Sequence, residues 1–345
     1  MTGPAKSYWD FFSEEALRTG SHLYSRLAAS IGGDDGLKAL AARARPGQPH
    51  ANMLLGAVHF LLLQGAEHPL ARFYPTLGGE ARAEDEDPFP SFKDFVAQHE
   101  AAIADLIAAR VTNTNEIGRS ALLHPGFRVL AAEAGEPLNL IEIGPSAGLN
   151  MIWDRYGVRY RKDGRTAAAI APDAPVVIEA EIRDETLPPT GPAPAVARRI
   201  GLELNPNDLS DPGNCDWLRA LVWPEHLARL KRLEAAMALA VHSPPDIRAG
   251  DALALLLDTI GEIPESEPVC VYHTIAVYQF SHEMRDALED LLTIAGLRRP
   301  VWRLGFEMEP DLRYRLAISR YRDGAVERRL LAEAHPHGTW LEWLA

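Results

Sequence analysis

Cysteine is almost missing from this sequence: Cys215 and Cys270 are the only two in 345 residues, and they stand far apart. That argues against a disulfide framework and against a cysteine-based zinc site. Long apolar runs are missing too. The most apolar stretch, Met53 to Leu63, contains His59, continues into Gln64 and Gly65, and falls short of the about 20 residues a membrane helix needs. Met1 to Asp10 lacks the basic start and apolar centre of a signal peptide, so the expectation is a soluble protein of a reducing cytoplasm. Positive charge is in deficit, with 35 Lys and Arg against 48 Asp and Glu and a net charge of −13. Bulk electrostatics therefore disfavour nucleic acid and anionic membrane as partners. Arg198-Arg199, Arg298-Arg299 and Arg328-Arg329 are isolated pairs of the kind that solvated surfaces carry. His335 and His337 are too loosely accompanied for a metal site, and no metal is expected.

Strand-like alternation is absent before residue 137. Apolar residues there recur at helical spacing, as in Phe11, Ala16, Leu23 and Leu27, then Leu54, Val58, Leu61 and Leu62, then Phe95, Ile103, Leu106 and Ile107. Gly32-Gly33-Asp34-Asp35, Arg45-Pro46-Gly47 and the acidic Glu84 to Pro90 separate them with turn chemistry. Residues 1–136 are expected to form an all-helical domain or lid.

From residue 137 short apolar or β-branched runs alternate with helical ones, the pattern of a parallel sheet covered by helices. The expected core strands are Leu138 to Ile143, Ile200 to Leu204, Asp246 to Ala249, Pro268 to Thr274 and Val301 to Phe306. A helix through Met151 to Arg155 is expected after the first. Lys162-Asp163-Gly164 between Val158-Tyr160 and Val176-Ile178 predicts an inserted β-hairpin and loop over 156–195. Asp323-Gly324 predicts a second hairpin joining Arg313–Ser319 to Ala325–Leu331.

The most informative stretch is Leu138 to Asn150, LNLIEIGPSAGLN. An apolar strand ends in Glu142 and runs into a turn with Gly144 and Gly148. Glycine permits positive φ and close approach of a ligand, and free backbone N–H groups beyond such a turn favour polar or negative ligand groups. The same letters, Gly144-Pro145-Ser146-Ala147-Gly148, satisfy the G-x-S-x-G nucleophile elbow of serine hydrolases. Asp251 or Asp258, followed by His273, His282 or His335, completes the Ser, Asp, His chain order. No strands precede Leu138 to build a hydrolase scaffold, which favours the ligand cradle. An NAD site is disfavoured because its acidic residue would fall in the inserted hairpin.

The order of elements resembles the class I methyltransferase fold, a Rossmann-like α/β sheet here with a helical N-terminal domain and an inserted hairpin. Glu142, Gly144 and Gly148 match the acidic residue and glycines of the family's first turn, and Ser146 stands in place of the middle glycine. The resemblance implies S-adenosylmethionine as cofactor, Glu203 at the end of the second strand as holder of the ribose hydroxyls, and Asp251 after the third as an adenine-side group. It further implies that His273, with Tyr272 and Thr274, lies where a methyl group is transferred. More finely, the chain resembles a bacterial family of unknown function, domain-of-unknown-function family 2332. The resemblance is carried by Thr114-Asn115-Glu116, Glu142 to Asn150, Arg199 to Leu209, Trp217 to Pro224 and His337-Gly338-Thr339-Trp340. That family supplies no activity. Asn115, Glu116 and Arg119 lie where the helical part meets the α/β part in sequence and join the candidates on the substrate side.

The resulting expectation is a methyltransferase acting on a small-molecule acceptor. A non-catalytic binding protein on the same fold and a serine hydrolase using Ser146 are the alternatives.

Overall fold

A computed structural model describes residues 6–79 and 86–345. Residues 84 and 85 of the expected Glu84 to Pro90 break lie outside them. The chain divides into two compact units. One holds the described residues up to Thr114 together with Ser210–Glu234, and the other holds Asn115–Leu209 and Ala235–Ala345. This differs from a single cut at residue 136, because the elements just before it carry apolar residues that pack on the sheet.

The first unit is helical: α1 (Tyr8–Arg18), α2 (His22–Gly32), α3 (Asp35–Ala41), α4 (His50–Leu63) and α5 (Phe89–Ala109). Its start signals are legible residue by residue. Ser7 and Asp10 form a reciprocal capping box on α1, and Ser21 and Asp34 cap α2 and α3. α4 is apolar nearly all round and fully buried over Met53 to Val58. That burial accounts for Met53 to Leu63 being the most apolar run in the chain. Among the described residues no helix is long and apolar enough to cross a membrane. Phe92, Phe95, Ile103 and Ile107 bring α5 into the same core, each full burial contributing roughly 1.5–3 kcal/mol.

The second unit begins with α6 (Ser120–Ala134) and contains one 11-stranded sheet. Its strands are β1 (Leu138–Ile143), β2 (Gly157–Lys162), β3 (Arg165–Ile170), β4 (Val177–Ile182) and β5 (Val196–Glu203). After α7 (Pro212–Ala220), which belongs to the first unit, and α8 (Leu227–Val241), within which the units divide, come β6 (Asp246–Ala249) and α9 (Ala252–Gly261). The series closes with β7 (Val269–Thr274), α10 (His282–Gly296), β8 (Val301–Met308), β9 (Tyr314–Arg322), β10 (Ala325–Ala334) and β11 (Trp340–Trp343).

The order is β3-β2-β4-β11-β10-β9-β8-β7-β1-β5-β6. Five strands, β8-β7-β1-β5-β6, run parallel. The chain goes from β1 outward to β5 and β6, then returns to the other side of β1 for β7 and β8. This reversal beside β1 is where open α/β sheets bind ligands, outside the carboxyl ends of the strands. Alternation sends Ile141 and Ile143 to one face with Val269, Val271 and helices α9 and α10. The opposite face receives α6, whose Phe127 meets the Tyr272 ring edge-on at 5.1 Å.

The β9–β10 hairpin is present as expected, turning through positive-φ Asp323-Gly324. The inserted hairpin also turns where expected, at positive-φ Asp163-Gly164, but its second arm is β3; the Val176-Ile178 run expected there leads into β4, which pairs parallel with β2 on its other side. The expected helix after the first glycine turn is not formed. Leu149–Arg155 is a short 3₁₀ stretch broken at Ile152, so β1 leads almost directly into the inserted strands.

Candidate functional site

At the carboxyl end of β1 the backbone leaves the sheet through Gly144 (φ 70°), Ser146 (φ 57°) and Gly148 (φ 75°). Two of these positions require glycine for space as well as for φ. A Cβ on Gly148 would sit 2.3 Å from Pro245 Cγ, and one on Gly144 would sit 2.9 Å from Ala276 Cβ. Ser146 adopts a left-handed conformation that disfavours a side chain, so its surroundings must hold it there. Its N–H donates to Glu203 Oε2 (2.8 Å), its hydroxyl accepts from Asn207 Nδ2 (3.1 Å), and its carbonyl accepts from the Asn207 N–H (3.2 Å). Glu203 Oε1 also accepts the Asn205 N–H at 2.9 Å. The carboxylate expected to hold ribose hydroxyls therefore first ties the glycine turn to the turn after β5, and its remaining lone pairs are what a ligand can use.

The N–H groups of the turn are mostly committed. Those of Gly144 and Gly148 donate to Leu202 O and Pro145 O, and that of Leu149 donates to Asn115 Oδ1 (2.8 Å). The N–H of Ala147 finds no acceptor among the described residues, and Ala147 is 2 % exposed. A buried donor without a partner costs about 1–3 kcal/mol, so this turn stores a demand for an acceptor.

Asn115, Glu116 and Arg119 do gather at this end of the sheet. The Glu116 carbonyl accepts from Asn150 Nδ2 (3.4 Å), and its carboxylate accepts the Gly118 N–H (3.0 Å) and lies 3.1 Å from His337 Nδ1. Arg119 donates through Nη1 to Thr274 O (2.8 Å) and through Nε to Pro336 O (2.9 Å). This one buried side chain thus fastens the end of β7 and the turn before β11 to the loop before α6. Gly118 makes the approach feasible, because a Cβ there would lie 2.2 Å from His337 O.

Glu142 lies beneath the turn, 1 % exposed, and its Oε2 accepts the Tyr272 hydroxyl at 2.8 Å. Burial pushes its carboxyl up to about 8; the Tyr272 bond and Arg119 oppose the rise, and the charge of Glu203 adds to it. At neutral pH Glu142 is mostly the neutral acid, and it supports the floor of the site rather than presenting charge. Tyr272 is raised as well, by burial first and then by Glu142.

Tyr272 and His273, expected side by side on the substrate, are separated by strand alternation: adjacent residues point to opposite faces. His273 faces the α10 side. Its Nδ1 lies 2.7 Å from Glu307 Oε1, and its Nε2 accepts from Arg303 Nε at 2.8 Å. Burial and then Arg303 hold the imidazole below its ordinary pKa, which matches a neutral ring with the proton on Nδ1. Glu307 in turn accepts the N–H groups of Ala276 (2.9 Å), Val277 (3.1 Å) and Tyr278 (3.2 Å). Burial works against its charge, but His273 and these N–H groups outweigh it and hold the carboxyl below the usual range. The loop they secure carries Ile275 at φ 50° and presents Ala276 to Gly144.

Asp251 caps α9, accepting the Leu253 N–H at 2.9 Å. With both nitrogens of His273 engaged, His282 exposed beside Asp286, and His335 Nδ1 accepting the His337 N–H, three histidines of the hydrolase reading have other partners. Among the described residues no group of three or more His, Cys, Asp or Glu could hold a metal ion. Asn150, Asn207 and His337 were not singled out as site residues from the sequence, although all three fall in the segments that carry the family resemblance.

A protein-family model described as "uncharacterized protein conserved in bacteria" (DUF2332) matches residues 7–343. No curated protein and no solved structure matches the chain.

Proposed function

Because the chain belongs to the DUF2332 family, whose description carries no activity, we propose from the site itself that it is an S-adenosylmethionine-dependent methyltransferase acting on a small-molecule acceptor. The five parallel strands β8-β7-β1-β5-β6, with the β9–β10 hairpin following β8, support the class I methyltransferase resemblance. The observation that carries the reading is the unpartnered Ala147 N–H, buried in a glycine turn at the point where the strand order reverses. It suits an oxygen acceptor of the ligand. In this reading Glu203, already anchored by the N–H groups of Ser146 and Asn205, accepts ribose hydroxyls with its remaining lone pairs.

Bound there, S-adenosylmethionine would supply a methyl group activated by its sulfonium. The residues of this chain contribute position. Arg119 and Glu307 fix the loops after β7, the Glu142–Tyr272 pair stiffens the floor, and the rate gain comes from holding donor and acceptor in line. This reading assigns Thr274, Asn115 and Glu116 to the acceptor side.

Isothermal calorimetry with S-adenosylmethionine tests the reading. Saturable binding is expected, weakened about tenfold or more in Glu203→Ala, the equivalent of at least one charge-assisted hydrogen bond. Absence of heat at millimolar ligand sinks it. Binding without transfer to any acceptor favours a non-catalytic ligand-binding protein. The positive φ of Ser146 also fits a nucleophile elbow, and labelling of Ser146 by a fluorophosphonate probe would favour a serine hydrolase instead.

A further inference from the structure

A groove of about 220 Å³ lies on the α10 side of the sheet, floored by Gly305, Ala317 and Ser319. It is smaller than the roughly 300–1,000 Å³ of drug-sized ligand sites. Strand register builds its centre: Arg303 of β8 pairs with Ser319 of β9, and Ser319 pairs with Arg328 of β10. At about 4.8 Å per strand, this row sets a hydroxyl midway between two guanidinium-bearing positions. The row keeps donors unspent. Arg303 uses Nε on His273 and Nη1 on Glu289 and Tyr321, and no acceptor among the described residues takes its Nη2. Arg328 meets Glu309 through Nη2 alone. The hydroxyl of Ser319, a residue only 7 % exposed, has no partner among the described residues. Gly305 is needed here because the His273 ring lies across it, 2.9 Å from where a Cβ would stand.

Three unspent donors in a row call for an oxyanion. The charge balance narrows its kind. Arg303, Arg315 and Arg328 supply three positive charges, and Glu289, Glu307 and Glu309 supply three negative ones, so the lining sums to zero. A dianion such as phosphate would leave its charge uncompensated in a half-enclosed site, whereas a ligand carrying one charge of each sign would not. We propose that this groove binds a small zwitterion of the amino acid type, its carboxylate on Arg303, Ser319 and Arg328 and its ammonium on the glutamates beside them. The groove shares His273 and Glu307 with the support of the loop beside the glycine turn, but the proposal rests on Arg303, Ser319 and Arg328 and does not depend on the methyltransferase reading.

The test is calorimetry of the full chain with the common L-amino acids in turn at millimolar concentration, with inorganic phosphate and acetate as separate arms. At least one amino acid is expected to bind, and Ser319→Ala and Arg328→Ala should each weaken it about tenfold, the equivalent of roughly one charge-assisted hydrogen bond. Both variants keep the wild-type melting temperature and the wild-type response to S-adenosylmethionine, whose own amino acid portion makes that control necessary. Binding of phosphate but of no amino acid, binding of nothing, or amino acid binding indifferent to both substitutions each overturns the proposal. Loss of S-adenosylmethionine binding alone would overturn the earlier reading and leave this one standing.

Discussion

Glu142 shows how much one side chain's surroundings alter its meaning. An acidic residue closing a strand before glycines reads as a ligand-facing carboxylate, yet it is buried under the turn against Tyr272 and titrates near 8. Its folded pKa is raised above the unfolded value near 4.5, so the stability it contributes is complete below about 4.5 and is lost as pH rises through about 8. Glu142→Gln keeps an acceptor for Tyr272 and removes the ionisation. Urea midpoints of that variant should fall less than wild type between pH 5 and pH 8, and parallel curves would refute the buried neutral acid. The glycines and Ser146 of the turn were legible in the sequence because their spacing is local. Asn207, Asn150 and His337 were not, since each acquires its role from a partner far away along the chain. The split between Tyr272 and His273 was legible in principle from the two-residue period of a strand.

Elements were readable where turn chemistry is strong and hidden where it is weak. Asp163-Gly164 and Asp323-Gly324 declared both hairpins through residues suited to positive φ. β3, with its three consecutive alanines, and the four-residue β11 lack the β-branched alternation that signals a strand. The helix expected after Gly148 gives way to a 3₁₀ stretch, because Tyr156 must deliver the chain at once to β2, and its hydroxyl bonds back to Leu149 O at 2.7 Å. Contacts between elements make one sharp prediction. Gly118→Ala would place a methyl group 2.2 Å from His337 O, forcing apart the segment before α6 and the turn before β11. A loss of about 1–3 kcal/mol is expected from denaturant unfolding, as for other overpacked contacts. A change within experimental error would mean that the two backbones do not touch.

At the scale of the whole molecule, each unit buries a histidine in the neutral form. His59 in the helical unit and His124 in the sheet unit are both held at about 4, by burial first, with Arg128 adding to the effect on His124. Folded values below the unfolded 6.5 give stability that is present above pH 6.5 and lost as pH falls through about 4. The trend opposes that of Glu142, and with His273 also held below its ordinary value these histidines outnumber the glutamate, so the chain should weaken on the acid side. Melting temperatures should drop between pH 6.5 and pH 4, and less steeply in His124→Gln; a flat profile would contradict the burial of both rings.

The place of β11 also bears on how the sheet is completed as the chain is made. β4 finds its second neighbour only in β11, which joins β2, β3 and β4 to β10 and follows the other strands of this sheet along the chain. Until β11 is made the β4 edge offers unpaired N–H and C=O groups to any passing strand. Translation therefore leaves the inserted strands exposed through most of the making of this unit, and the closing segment both seals the sheet and, through Pro336 and His337, docks against Arg119 and Glu116. Nascent chains halted before Trp340 are where association between copies would begin.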